Sequence, residues 1–184
     1  MLTSLIEKKN RNIKTVSVLI DPDKIQNKKS LEELLNTSIQ SNIDFIFVGG
    51  SLLVNDTLSE LVRFIKKNCE IPVVLFPGSN LHIEKSADAI LLLSLISGRN
   101  PELLIGQHVI AAPILKKSSL EIVSTGYMLI GNDFSTTVSY ISQTSPIPSD
   151  KTDIAVCTAI AGEMLGMKLI YLDAGSGAEE YGSQ

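Results

Sequence analysis

Cysteine is scarce in this chain: Cys69 and Cys157 stand far apart, with no C-x-x-C spacing. That excludes a disulfide framework and a thiolate zinc site, and it fits a reducing cytoplasm. Basic charge is not in excess either. Sixteen Lys and Arg against twenty Asp and Glu leave a net charge of −4, which argues against a broad basic face for nucleic acid or anionic lipid. An anionic substrate would then need a local remedy: a metal, a few cations, or backbone N–H groups. Long apolar runs are missing too. The longest, Ala89 to Ser97, is about half of a bilayer crossing. The opening MLTSLIEKKNRN has too short an apolar stretch for a signal peptide and reads as an amphipathic helix. A cytoplasmic protein without a transmembrane segment is the expectation.

What is present is an ordinary globular composition, 44% hydrophobic and 20% charged over 184 residues. That is enough for one domain with a sizeable core. Short apolar runs alternate with helical patterns: Thr15 to Ile20, Phe45 to Val48, Val73 to Phe76, Ala89 to Leu93, Tyr127 to Ile130 and Leu169 to Leu172. Between them, Lys29 to Ser41 and Asn55 to Asn68 carry apolar residues at helical spacing, the second with Asn55 or Asp56 as its N-cap. Ser149 to Leu165 is a further helix. The strand candidates are apolar throughout and do not alternate. Strands covered on both faces look like that, so a parallel sheet with helices outside is expected. Six strands are too few for a closed eight-stranded barrel of about 250 residues. A doubly wound sheet would accept six, but the Gly-x-Gly-x-x-Gly fingerprint is absent after the first strand, where the acidic DPDKIQNK stands instead. Periodicity leaves both architectures open.

In either one, ligands gather at the carboxyl ends of the strands. Asp21, Asp23 and Lys24 follow the first strand, Gly49, Gly50 and Ser51 the second, Pro77 to Asn80 the third, and YLDAGSGA closes the sixth. Asp21 beside Pro22 suits a hard divalent cation, which needs little more than one carboxylate, a hydroxyl and substrate oxygens; it equally suits a turn cap. The loops at Gly49-Gly50-Ser51 and Gly175-Ser176-Gly177 let backbone N–H groups approach a phosphate, though glycine is also ordinary turn chemistry. Asp173 stands where a carboxylate accepts a proton from a substrate hydroxyl, or where it caps a helix. His82 and His108 show no metal spacing and read as surface or hydrogen-bonded structural residues. Cys157, among Ala155, Ala159, Ala161 and Gly162, reads as close helix packing or a subunit contact.

Taken in order, VLIDPDK, FVGGSLL, VVLFPGS, SLISGRNP, GQHVIAAP and AGEMLGMKLIYLDAGSGA resemble the geranylgeranylglyceryl phosphate synthase family, which includes the heptaprenylglyceryl phosphate synthases. The match covers nearly the whole chain and is closest to the group with Y-L-D/E-A-G-S-G. The resemblance implies an α/β fold of the (β/α) TIM-barrel type. Because the sequence stops after its sixth strand, it also implies a single domain, 1–184, lacking the last two strand–helix units. The implied activity is a prenyltransferase of ether-lipid and phospholipid biosynthesis. It would join the C3 hydroxyl of sn-glycerol 1-phosphate to a long-chain prenyl diphosphate. Asp21 and Ser51 would hold Mg²⁺ beside the diphosphate. Tyr171, Leu172, Asp173, Ala174, Gly175, Ser176 and Gly177 would bind glycerol phosphate, with Asp173 as the base. A homo-oligomer whose product is delivered to a membrane is implied as well. The alternative is a degenerate barrel that binds a phosphorylated ligand or partner without catalysis.

Overall fold

The computed structural model describes residues 1–25, 27–53, 55, 57–79, 82–131 and 136–175. Twelve principal elements follow the chain: α1 (Leu2–Asn10), β1 (Ser17–Ile20), α2 (Lys28–Gln40), β2 (Phe45–Gly50), α3 (Leu58–Asn68), β3 (Val73–Pro77), β4 (Ala89–Leu95), α4 (Gln107–Lys116), β5 (Glu121–Leu129), α5 (Thr137–Ser142), α6 (Thr152–Met164) and β6 (Leu169–Asp173). They divide into two compact units, residues 1–91 with 114–122, and residues 92–113 with 123 onward.

In the first unit the strands run in chain order, β1-β2-β3-β4. β1 pairs parallel with β2 (Ile20 opposite Val48), β2 with β3 (Val48 opposite Leu75), and β3 with β4 (Leu75 opposite Ile90). The apolar runs are explained by what covers them. Ile46, Val73, Val74 and Leu75 have no solvent exposure, because helices supply one cover and the interior of the unit the other. α3 brings Leu58, Leu61, Val62 and Ile65, spaced i, i+3, i+4, i+7, onto the sheet. Burying such side chains is worth about 1.5–3 kcal/mol apiece, as an upper estimate. α2 is started by Asn27, whose side chain accepts from the Ser30 N–H at 3.0 Å, and it buries Leu31 and Leu35.

The start of α3 differs from the sequence expectation. Its N-cap is Thr57, without a side-chain capping bond. Asn55 is turned to Asp23 instead, and Asp56 lies outside the described residues. A partner across the loop has outcompeted the local cap.

In the second unit the end of β4 is followed by β5 and β6 in the same order. β5 and β6 are parallel, with Tyr127 opposite Tyr171 and Leu129 opposite Asp173. β5 is longer than its apolar run, beginning at Glu121. Its buried Thr125 satisfies its hydroxyl by donating to the Val123 carbonyl at 3.0 Å, so a polar letter hides a core position. Ile96, Met128 and Ile147 form the buried centre, with Leu104, Ala155, Ala159 and Ile170 packed against it. Cys157 is exposed, and the buried residue of α6 is Gly162. No described helix is long and apolar enough to cross a membrane.

Candidate functional site

In the first unit the polar groups expected at the strand ends are there. Asp21 leaves β1 in extended conformation and caps the 3-10 turn Pro22–Lys24: its Oδ1 accepts from the Asp23 N–H at 3.1 Å. Its other oxygen faces the Lys24 ammonium at 3.5 Å. The cap and the candidate ligand are thus the same carboxylate; the two readings of Asp21 do not compete. The neighbouring strand end keeps it open. A Cβ on Gly50 would stand 3.5 Å from the Asp21 carboxyl atoms, so any sizeable side chain there would cover them. Ser51 follows immediately, past the end of the strand adjacent to β1, and is half-buried.

Gly49 has a different job from the one its loop suggests. Its φ is +149°, and a Cβ would sit 1.9 Å from the Phe76 carbonyl oxygen. Close approach of the β2 and β3 backbones requires glycine there, whatever binds above.

The second unit holds the sixth-strand motif. Tyr171 and Asp173, two residues apart on β6, share one face of the strand, while Leu172 turns to solvent at 63% exposure. The Tyr127 hydroxyl donates to Asp173 Oδ2, and the Gly175 N–H donates to Oδ1 at 2.7 Å. Tyr127 and Tyr171 stack, with ring centroids 5.7 Å apart. Burial first, then the Asp173 charge, pushes the Tyr127 phenol far above its ordinary value; the same causes raise Tyr171. Both phenols therefore stay protonated at neutral pH.

Gly175 turns the chain at φ +91°, and a Cβ there would meet the Thr136 side chain at 2.4 Å. Ala174 precedes it, its carbonyl 3.8 Å from where Gly131 would carry a Cβ. Ser176 and Gly177 lie outside the described residues. Tyr127 was not singled out from the sequence. The available signal was a polar-tipped aromatic in an apolar strand, which needs a partner once buried.

Both histidines are half-buried, and His108 is hydrogen-bonded as expected. His108 Nε2 lies 3.2 Å from the Ser94 hydroxyl, whereas Nδ1 of each ring is buried without a partner among the described residues. Those residues contain no group of three or more His, Cys, Asp or Glu able to hold a metal. An ion at Asp21 would need substrate oxygens to complete its shell.

Parallel strands in chain order with polar groups at their carboxyl ends define the class, an α/β fold of the (β/α)-barrel type. Solved relatives agree. Wild-type GGGPS from Thermoplasma volcanium superimposes with a TM-score of 0.90 at 32% identity, over 100% of this chain and 72% of that one. The Thermoplasma acidophilum (S)-3-O-geranylgeranylglyceryl phosphate synthase in complex with substrate sn-glycerol-1-phosphate also gives 0.90, at 30% identity, over 100% and 73%. Geranylgeranylglyceryl phosphate synthase of Chitinophaga pinensis is 58% identical over 177 residues, 96% of this chain and 70% of the relative. That of Spirosoma linguale is 56% identical over 96% and 71%. The PcrB family model matches residues 8–182. The chain belongs to the PcrB family.

Proposed function

We propose that this chain is a prenyltransferase that alkylates the C3 hydroxyl of sn-glycerol 1-phosphate with a long-chain prenyl diphosphate. The observation that carries the reading is the Asp173 carboxylate, held at the end of β6 by the Tyr127 hydroxyl and the Gly175 N–H. The names of its relatives supply the substrate class.

In the reaction the C3 oxygen forms a bond to C1 of the donor, the bond from C1 to the diphosphate oxygen breaks, and diphosphate leaves with that electron pair. The hydroxyl proton passes to Asp173. Each of its oxygens already accepts one hydrogen bond and keeps a further lone pair for the substrate. The two donors fix the carboxylate's direction, which matters more for a general base than a small gain in basicity. Tyr171, stacked on Tyr127, lies on the same face of β6 as Asp173.

Asp21 and Ser51 fit a magnesium site: one open carboxylate, a hydroxyl on the adjacent strand end, and the uncovered space beside Gly50. Bound there with donor oxygens, Mg²⁺ would supply charge stabilisation for the leaving diphosphate, which a chain of net charge −4 cannot provide from bulk charge. Lys24, at 3.5 Å, would move aside or share that role. The ether product is a phospholipid precursor destined for a membrane, and assembly of this chain into a homo-oligomer belongs to the same reading.

The test is conversion of labelled sn-glycerol 1-phosphate into solvent-extractable lipid, with Mg²⁺ and donors of increasing prenyl length. Product that requires both Mg²⁺ and a prenyl diphosphate is expected. Binding of both substrates without any product would instead make this a non-catalytic relative.

A further inference from the structure

The loops after β1, β2 and β3 bring together three polar side chains that have no part in the preceding scheme. Asn55, after β2, donates twice to one oxygen of Asp23, after β1: from its backbone N–H at 3.2 Å and from Nδ2 at 2.9 Å, both to Oδ1. This double donation fixes a carboxylate whose charge is felt by the ring of His82, after β3. His82 Nδ1 is closed off from solvent and has no hydrogen-bond partner among the described residues. Native proteins leave few buried polar atoms unpaired, and the exceptions concentrate where a ligand, an ion or a water belongs. All three residues lie in the first unit, at the carboxyl ends of its strands, where folds of this kind bind ligands.

The electrostatics narrow the choice of ligand. Burial outweighs the Asp23 charge and holds the imidazole below its ordinary value, so the ring is neutral at pH 7. It carries one N–H donor in a loop next to the strand ends that present Asp21 and Ser51. A donor poised there suits an acceptor-rich group that gains negative charge during reaction.

We infer that His82 is a binding residue for the diphosphate of the donor substrate. From Nδ1 its ring donates a hydrogen bond to a phosphoryl oxygen. The inference rests on the prenyl-diphosphate reading above and assigns that site a third strand-end loop. As the ester bond breaks, the phosphoryl oxygens become more negative and the hydrogen bond strengthens, so His82 contributes to departure of the leaving group as well as to its binding.

Two measurements test it. With inorganic diphosphate and Mg²⁺ as the probe, titration calorimetry at pH 7.5 should show His82→Ala binding roughly tenfold more weakly or worse, the ratio typical of a hydrogen bond to a charged acceptor. His82→Asn, whose amide reaches the position of Nδ1, should recover much of the loss. Unchanged affinity in folded His82→Ala overturns the assignment, as does His82→Asn behaving like alanine. The second measurement needs no variant. The chain has only two histidines, so ¹⁵N-histidine labelling gives two sets of ring signals. Diphosphate should move one set, and two unmoved rings overturn the inference. Wild-type chain that binds no diphosphate at all, as blank as Asp21→Ala, removes the donor reading itself and this inference with it.

Discussion

Helices α3 and α6 hold equivalent places in the β–α repeat, each leading into a strand, yet they are used differently. α3 buries a four-residue apolar stripe and leads into β3, where Val73, Val74 and Leu75 are wholly covered. α6 is the more apolar helix in sequence, but it buries only Gly162 and leaves Ile154, Val156, Ile160 and Met164 exposed. β6 after it has no fully buried residue. The strand ends in the first unit are therefore fixed by packing and close backbone approach. In the second unit the Asp173 carboxylate, the proposed base, is fixed by two hydrogen bonds and a left-handed turn. The first should break through volume, and the second through removal of single polar atoms.

Gly49→Ala tests the packing side most severely. The added methyl collides with a backbone carbonyl at a φ that alanine rarely adopts, so a cost of about 4 kcal/mol is expected. Urea denaturation with hydrogen exchange should place the loss in the first unit. A loss under 1 kcal/mol would show that the β2–β3 approach relaxes freely.

Asp173→Asn should do the opposite. The amide keeps the shape but cannot take the proton, so turnover should fall about a hundredfold, while the melting temperature and the affinity for sn-glycerol 1-phosphate change little. Equal losses in binding and turnover would mean that the residue only holds substrate.

Asp44 offers a smaller effect with a defined sign. The hydrogen bond from Lys8, ahead of that from the Val16 N–H at 3.0 Å, holds its carboxyl below the ordinary value. A depressed folded-state pKa stabilises above the unfolded value, and the benefit is lost as pH falls through the folded one. Asp44→Asn should then cost about 1 kcal/mol at pH 7, and the gap from wild type should close below the ordinary Asp range. A gap that persists at pH 2 would point to shape as the cause.

Gly162→Ala should be nearly silent. Its Cβ would meet Ile96 Cδ1 at 2.9 Å and Ile170 Cδ1 at 3.0 Å, but those are the far ends of flexible side chains. The helix gains up to about 1 kcal/mol in propensity, so the net change should lie within about 0.5 kcal/mol. A loss near that of Gly49→Ala would erase the contrast between the two units.

Much of this was legible in the letters because apolar runs and strand-end loops are local signals. Asp21, Ser51 and Asp173, the candidate site residues, stand at strand ends in the sequence reading and in the structure alike. Other features required partners distant in sequence. Tyr127 is 46 residues from the carboxylate it holds, and Asn55 looks like a helix cap until Asp23, 32 residues earlier, is beside it. The opening of β5 was hidden because Thr125 is polar by name and satisfied by its own strand. The five-residue π-helical segment Glu102–Gly106, running directly into α4, differs from an α-helix only in which carbonyl each N–H chooses, and no residue type announces that.

The tyrosine pair at Asp173 also makes the protein its own reporter. The chain has no tryptophan and four tyrosines, so its ultraviolet emission comes from phenols alone. Tyr127 stacks on Tyr171 and donates to a carboxylate, an arrangement expected to quench the emission of this pair. A substrate hydroxyl that draws Asp173 toward itself would loosen that quenching. Occupancy of the proposed base, Asp173, should then be visible as a rise in tyrosine light, without label or chromophoric substrate.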